Sequence, residues 1–380
     1  MAVASLFPLG PWAQAQTQTQ AQPAIEEVWV YAQKRTQNQQ IVPVAVTAFS
    51  GAKLTTSGVK DMFDLGTIAP GLEVRQGGSA SGVRFRIRSI GSKSDNFGIE
   101  SSVGLYVDGV YRARQGSLIN NMVDVERVEV LRGPQGTLFG RNTLAGAVLM
   151  NTVAPSHDGR DGFAEVTLGN YDLVNVSGAT SLSAIDEVLA FRAAAFSSKR
   201  DGYVDDINLG SNTIYDRNRW GIRMQGLYTP SGSLSVRVIA DYSEIDEICC
   251  AALVVQDNLR PVSLPAGVAP YAGSDEVARS LGSTVFTGDQ FYDFVTAQNL
   301  LPVSSMDDSG VSVSVDWDLE AFSLSTITGY RAFDAHESYD ADFSDLNSLA
   351  SETTVEQSAW TQELRIHGDG AKFSYVAGLY

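Results

Sequence analysis

The sequence predicts a mainly β protein in two parts, a compact α/β unit followed by a long series of antiparallel strands. In residues 125–153, two β-rich runs flank Gly133, Pro134, Gly136, Gly140 and Gly146. Glycine admits φ > 0 or close backbone packing, and proline sets a tight turn without needing a ladder hydrogen bond. From Gly162 onward, strand-length segments alternate apolar and polar residues and end in turn residues. The charge divides as well: residues 1–155 carry a net +3 and the remainder −20, within an overall −17. Parts so different in charge read as two domains with different surroundings.

Composition bounds the function. At 380 residues the chain is long enough for more than one domain. Its 35 glycines and 14 tyrosines, against 3 histidines, lean towards β structure. No uninterrupted apolar stretch reaches the ~18–20 residues of a membrane-spanning helix, whereas the strands of a membrane barrel are nearly invisible to hydropathy. The acidic second part argues against nucleic acid, which needs a basic face. Cys249 and Cys250 are adjacent, which does not suit a Cys-x-x-Cys metal or redox site; a vicinal disulfide and two free thiols both fit.

Taken in order, residues 1–24 read as a leader. Residues 2–9 are apolar and Ala13-Gln14-Ala15 suits a small-residue cleavage site, yet the first basic residue is Lys34. A signal peptide has a charged n-region. This is therefore a signal lacking its beginning or a disordered leader, and the first reading is preferred. Residues 14–22 are too polar for a core. Residues 25–41 form a linker whose start, Ile25-Glu26-Glu27-Val28-Trp29-Val30-Tyr31, can add as a strand to another sheet.

Residues 42–155 are expected to be the α/β unit. A strand at 44–49 leads into a short helix opening at Gly51, and 61–68 is a second helix ended by Pro70-Gly71. Residues 83–88 alternate apolar and basic, so one face is buried and the other carries Arg84, Arg86 and Arg88. Residues 103–111 are a hairpin turning at Asp108-Gly109.

Residues 156–380 supply strands at 163–170, 173–183, 188–198, 220–228, 234–242, 311–319, 322–330, 360–367 and 373–380. Short connections at 184–187 and 230–233 alternate with long polar ones, as in an outer-membrane barrel. Tyr171, Tyr203, Tyr215, Trp220, Tyr228, Tyr242, Tyr330 and Trp360 sit near strand ends, where interfacial girdles would place them.

The run V-E-V-L-R-G-P-Q-G-T-L-F-G-R-N-T-L-A-G-A-V at 128–148 resembles the end of the plug domain in TonB-dependent outer-membrane receptors. It departs at Phe139, for the usual tyrosine, and at Ala145, for the first of two glycines. V-G-L-Y-V-D-G-V at 103–110 is similar to a second family segment. The resemblance implies an α/β plug domain inside an outer-membrane antiparallel β-barrel of about 22 strands. Sheet edges cannot lie bare in hydrocarbon. With about nine strands readable, the chain is therefore expected to be a fragment with an incomplete barrel, unable to transport by itself.

The resemblance also implies roles. Residues 25–31 would be the TonB box, which pairs with the energy-transducing protein TonB. Arg88 and Arg132 would lock the plug to barrel glutamates expected beyond residue 380, although Ser89 stands where the family has glycine. Apical loops at 75–81, 92–97 and 111–115 would face the ligand, with Arg75, Gln76, Ser92, Asn96, Phe97, Tyr111 and Arg112 as candidate contacts. Arg84 reads as a solvated strand residue.

Nothing points to catalysis or to a resident metal or cofactor. There is no G-x-x-x-x-G-K-[ST] loop and no G-x-S-x-G elbow, and His157, His336 and His367 lack ligand spacing. Residues 77–82 read as a flexible loop, since no helix-forming run follows them to make a phosphate cradle. Segments 275–281 and 290–300 are helix-compatible. Asp334, Glu337, Asp340, Asp342 and Asp345 have no turn glycine among them, so a solvated acidic loop is expected rather than a Ca²⁺ site.

The expected function is active import of an iron–siderophore complex across the outer membrane. TonB, the chelate and lipid would be its partners, and no cofactor is needed because the siderophore supplies the iron ligands. Two other readings stay open. One is TonB-dependent uptake of haem, cobalamin or an oligosaccharide. The other is a non-transporting surface or adhesin barrel that the N-terminal domain merely occludes.

Overall fold

The computed structural model describes residues 28–92, 97–118, 122–158, 161–253, 274–286, 288–370 and 373–380. A small hairpin of β1 (Trp29–Val30) and β2 (Gln37–Asn38) precedes β3 (Ala45–Ser50), α1 (Gly51–Thr56) and α2 (Met62–Ile68). Both helices start where their sequences supply a cap. Ser50 Oγ accepts from the Lys53 N–H, and Asp61 and Asp64 form a reciprocal capping box. β4 (Leu72–Gln76) pairs with β5 (Val83–Ile87), whose Val83, Phe85 and Ile87 are buried as the alternation requires. β6 (Val103–Val107) turns into β7 (Val110–Tyr111) through Asp108 and Gly109, both at positive φ as a two-residue hairpin demands.

β8 (Val125–Arg132) and β9 (Gly146–Thr152) flank the glycine-punctuated turn, which contains the one-turn α3 (Gly136–Phe139). The resulting sheet has the order β3-β8-β9-β6-β7, parallel only between β6 and β9. Val128, Val130, Val148 and Met150 meet Met62, Leu65, Phe85 and Ile87 in its core. Residues 77–82 are not the flexible loop expected. Ser79, Ala80 and Ser81 are buried against the second part of the chain, where Ala80 N–H donates to Ser304 Oγ (3.2 Å) and Ser81 Oγ donates to Glu337.

The second part comprises β10 (Gly162–Gly169), β11 (Leu173–Ile185), β12 (Leu189–Arg200), β13 (Val204–Asp206), β14 (Gly210–Ile214), β15 (Arg217–Ser231), β16 (Leu234–Ile248), β17 (Val295–Thr296), β18 (Val303–Asp318), β19 (Ser323–Asp340), β20 (Ala350–Asp369) and β21 (Ser374–Leu379). Nine of them form one antiparallel sheet in chain order; β13, β14 and β17 form a small separate sheet. Consecutive antiparallel pairing puts the tight turns at 186–188, 232–233 and 319–322 at one end. The strand ends from which the long connections 201–216, 249–302 and 341–349 leave lie at the other.

Several strands run further than apolar alternation indicates. β16 extends to Ile248, β18 begins at Val303, β19 reaches Asp340 and β20 starts at Ala350. Their upper halves are rich in Ser, Thr, Asp and Glu. They carry no hydrophobic period, yet the backbone ladder still pairs them residue by residue. Asp334 and Glu337 therefore belong to β19 rather than to an acidic loop, and Asp340 caps the turn by accepting the N–H groups of Asp342 and Phe343. Segment 290–300 is a single 3-10 turn (Gly288–Asp293) followed by β17, not a helix.

The large sheet is inverted relative to a water-soluble one. On β15, Trp220, Ile222, Met224 and Tyr228 are exposed while the alternating Arg219, Arg223 and Gln225 are buried. On β20, Trp360, Leu364 and Ile366 are exposed while Glu363 and Arg365 are buried. Lys, Glu, Arg and Asp are almost never fully buried unless paired. The N-terminal unit packs on this polar face and supplies some of the partners, while others, such as Glu247 for Arg219, come from the sheet itself.

Candidate functional site

Two regions of the N-terminal unit lie at opposite ends of the sheet. The first, at the end with the long connections, gathers most of the candidate ligand contacts. Arg75 is largely exposed and paired with Glu73 (2.7 Å). Gln76 Nε2 donates to the sulfur of Cys249, which is joined to Cys250 by a disulfide. Ser92 shares a hydrogen bond with Ser102 (2.7 Å), and Phe97 lies under the Arg114 guanidinium at 5.8 Å. Asn96 lies outside the described residues.

Tyr111 and Arg112 are placed differently from the expectation. The Tyr111 hydroxyl accepts from Asn142 Nδ2 (2.9 Å) and its ring packs 5.5 Å from Tyr106. Arg112 is 6% exposed and ion-paired with Asp308 (3.2 Å) and, at 3.7 Å, with Asp241. It is a buried interface group, not an apical contact.

Arg88 and Arg132 come together at Pro70-Gly71. The Arg88 N–H donates to Gly71 O (2.8 Å), and Arg132 Nη1 donates to Pro70 O (3.1 Å). Arg88 and Ser89 both hold left-handed conformations, φ 52° and 65°, so the serine adopts the backbone geometry that glycine takes most readily. Among the described residues neither arginine has a carboxylate partner.

The second region is the docked N-terminal segment at the tight-turn end. Ile25, Glu26 and Glu27 lie outside the described residues; Val28, Trp29, Val30 and Tyr31 do not. Val30 and Ala32 are buried with Val46, Tyr106, Leu131, Phe139 and Leu149. The Tyr31 N–H donates to both oxygens of Glu129, at 2.8 and 2.9 Å. The Tyr31 hydroxyl accepts from Arg365 Nη2 (2.8 Å), and Lys34 pairs with Glu363 (3.0 Å) above the Phe139 ring. Burial raises the Glu129 carboxyl above its ordinary range, against the Tyr31 N–H and Arg127, which favour the charged form. Burial likewise lowers Lys34, with Glu363 opposing.

Between these ends, the two parts are joined by ion pairs that sequence reading did not find. Arg192 grips Asp124 through two hydrogen bonds (2.7 and 2.6 Å), Arg217 reaches Asp61 (3.3 Å) and Arg237 reaches Asp108 (3.4 Å). Here the N-terminal unit contributes the acids and the sheet the arginines, whereas Arg112 and Lys34 run the other way. The legible signal was Arg217, Arg219 and Arg223 at odd positions in a strand whose even positions are Trp220, Ile222 and Met224. That is the pattern of a wall with its charges turned inward.

Residues 38–147 match the family described as TonB-dependent Receptor Plug Domain. This part of the chain is therefore similar to the plug domain of TonB-dependent receptors. The pesticin receptor of Yersinia pestis is 33% identical over 129 residues, which are 34% of this chain and 19% of the relative. The vitamin B12 transporter BtuB of Vibrio vulnificus is 28% identical over 214 residues, 54% of this chain and 34% of the relative. Among solved structures, the ferric yersiniabactin uptake receptor FyuA of Yersinia pestis superposes with a TM-score of 0.70 at 19% identity, covering 88% of this chain and 47% of that one. The siderophore receptor PiuA of Acinetobacter baumannii gives 0.66 at 15% identity, covering 90% and 45%. The chain thus spans under half of these receptors, and its fold is theirs: a plug against the inner face of an antiparallel barrel sheet. The relatives are receptors and transporters, not enzymes.

Proposed function

We propose that this plug and barrel sheet serve energised uptake, across the outer membrane, of a bulky iron–siderophore chelate. Residues 25–31 would be the segment that TonB engages. In this organisation residues 25–41 are box and linker, 42–155 the plug and 156–380 barrel wall. One observation carries the reading. The apical candidates Arg75, Gln76, Ser92 and Phe97 and the docked segment at Tyr31 occupy opposite ends of one polar lumen wall. That is the layout needed to sense a ligand outside and be pulled from inside. The siderophore receptors among the structural neighbours support the cargo class. Arg88 and Arg132, adjacent on the plug and free of carboxylates among the described residues, suit the locking role. BtuB matches beyond the plug, which favours a cobalamin-type ligand as the second reading.

Deleting residues 25–31 in the full-length receptor is expected to abolish energy-dependent uptake of labelled ferric siderophores while surface binding persists. Uptake unaffected by the deletion would refute the proposal. The lipid-facing assignment has its own test. Val238→Lys, on the exposed face midway along β16, should destabilise the bilayer-inserted receptor by about 2–4 kcal/mol. In a water-exposed sheet the change would be near neutral.

A further inference from the structure

A strand offered to another protein by β-addition must present free backbone N–H and C=O groups. In this structure the described part of the segment, residues 28–31, has one edge already taken. Trp29 and Val30 are already paired with Asn38 and Gln37, the Val28 carbonyl accepts from the Gln39 N–H (2.8 Å), and the Tyr31 N–H is held by Glu129. The hairpin strand that follows occupies this edge.

Glu129 is the polar anchor of this arrangement. Its side chain is fully buried inside the plug sheet, and its protein donors are the Tyr31 N–H and Arg127 Nε (3.0 Å). A buried carboxylate is tolerated only when it is paired and hydrogen-bonded. Glu129 shares a face of β8 with Leu131, which packs against Val30 and Ala32, so lifting the segment away would break the bond to the Tyr31 N–H and uncover this apolar face, and undocking gives up both. Two other polar contacts of the segment, Lys34 with Glu363 and Tyr31 with Arg365, reach the barrel strand β20 instead, and Gln39 Nε2 in the following strand donates to Val46 O (3.0 Å). Arg127 does not depend on Glu129, since it also pairs with Glu126 (3.1 Å).

We propose that Glu129 is the positioning residue that keeps the N-terminal segment docked and unavailable to a strand-adding partner, so that breaking its bond to Tyr31 is the step that exposes the segment. This rests on the reading of residues 25–31 as the TonB-contacting strand. It assigns a specific role to the second glutamate of the V-E-R-V-E-V run.

The test uses the full-length receptor carrying Ala32→Cys, a position that is completely buried when docked. Cys249 and Cys250 are tied up with each other and do not compete for a maleimide. Adding Glu129→Ala is expected to raise the maleimide labelling rate by roughly tenfold to a hundredfold, the span that loss of one charge-assisted hydrogen bond implies. Glu129→Gln, which keeps an acceptor oxygen, should give a smaller rise. Ala69→Cys, buried at the end of α2, should stay protected in the same background. An unchanged rate at Ala32→Cys, or an equal rise at both positions, would overturn the proposal. The first outcome would leave docking to the β20 contacts, and the second would make Glu129 a general stabiliser of the plug. Capture of the periplasmic domain of TonB by these variants separates the two readings. Labelling that rises without added capture leaves the latch standing and removes the box assignment.

Discussion

Replacing Asp124 with alanine is expected to destabilise the plug–barrel assembly by about 3–5 kcal/mol, the usual effect of removing one partner from a buried ion pair. Asp124 and Arg192 are both almost fully buried and joined by two short hydrogen bonds, and Asp124 is also 3.9 Å from Arg223. Truncating the acid strands the Arg192 guanidinium, with only the half-exposed Asp161 (3.0 Å) and Ser181 (2.8 Å) left to it. The loss should be visible as a lower unfolding midpoint in detergent and as faster proteolysis of the plug. The double change Asp124→Ala with Arg192→Met should recover much of it, because an apolar pair needs no solvation. A loss below about 1 kcal/mol for the single variant would mean that water already reaches the pair.

The second large effect is expected at Gly146. Its φ is 150°, and a Cβ there would run into the Leu131 carbonyl oxygen and come within 2.8 Å of Ile87 Cδ1. The first of these is backbone of the paired strand β8, which cannot rotate aside. Gly146→Ala should therefore cost more than about 3 kcal/mol, combining overpacking with backbone strain. Gly146→Val should yield no protease-resistant plug. Gly133→Ala is the comparison: φ there is 98° with nothing within 4 Å, so only conformational strain of about 1–2 kcal/mol is expected. Equal effects at the two positions would show that φ alone, and not the approach of β8, makes Gly146 necessary.

Gly146 also explains a departure in the signature. The family pattern has two glycines where this chain has Ala145-Gly146. Ala145 is buried yet accommodates its methyl, with its N–H on Ser102 O and its carbonyl on the Gly133 N–H. Only the second position is pressed against a neighbouring backbone.

Much of the plug was legible because its signals are local. The capped helices, the Asp108-Gly109 hairpin and the alternation at 83–87 each depend on residues within a turn or a strand. In the barrel sheet, existence and order of the strands were legible but their lengths were not. A polar strand half is recognised by what pairs with it, and a single strand does not carry that information. The site divides in the same way. Gln76 and Phe97 remain expectations drawn from the order of the apical loops, whereas the burial of Arg112 was not legible because nothing near it in sequence announces Asp308, 196 residues away.

Residue order alone therefore determined a glycine-punctuated plug, a wall of antiparallel strands with apolar positions on one face, and an extended segment ahead of both. Those properties follow from backbone conformation and side-chain period, which neighbouring residues set. Only the tertiary structure decided which charges meet: acids of the plug with arginines of the wall, and the Glu129 carboxylate with the Tyr31 amide. Burying a charge is tolerable only beside its partner, and partners brought together by folding leave no mark on the spacing of either.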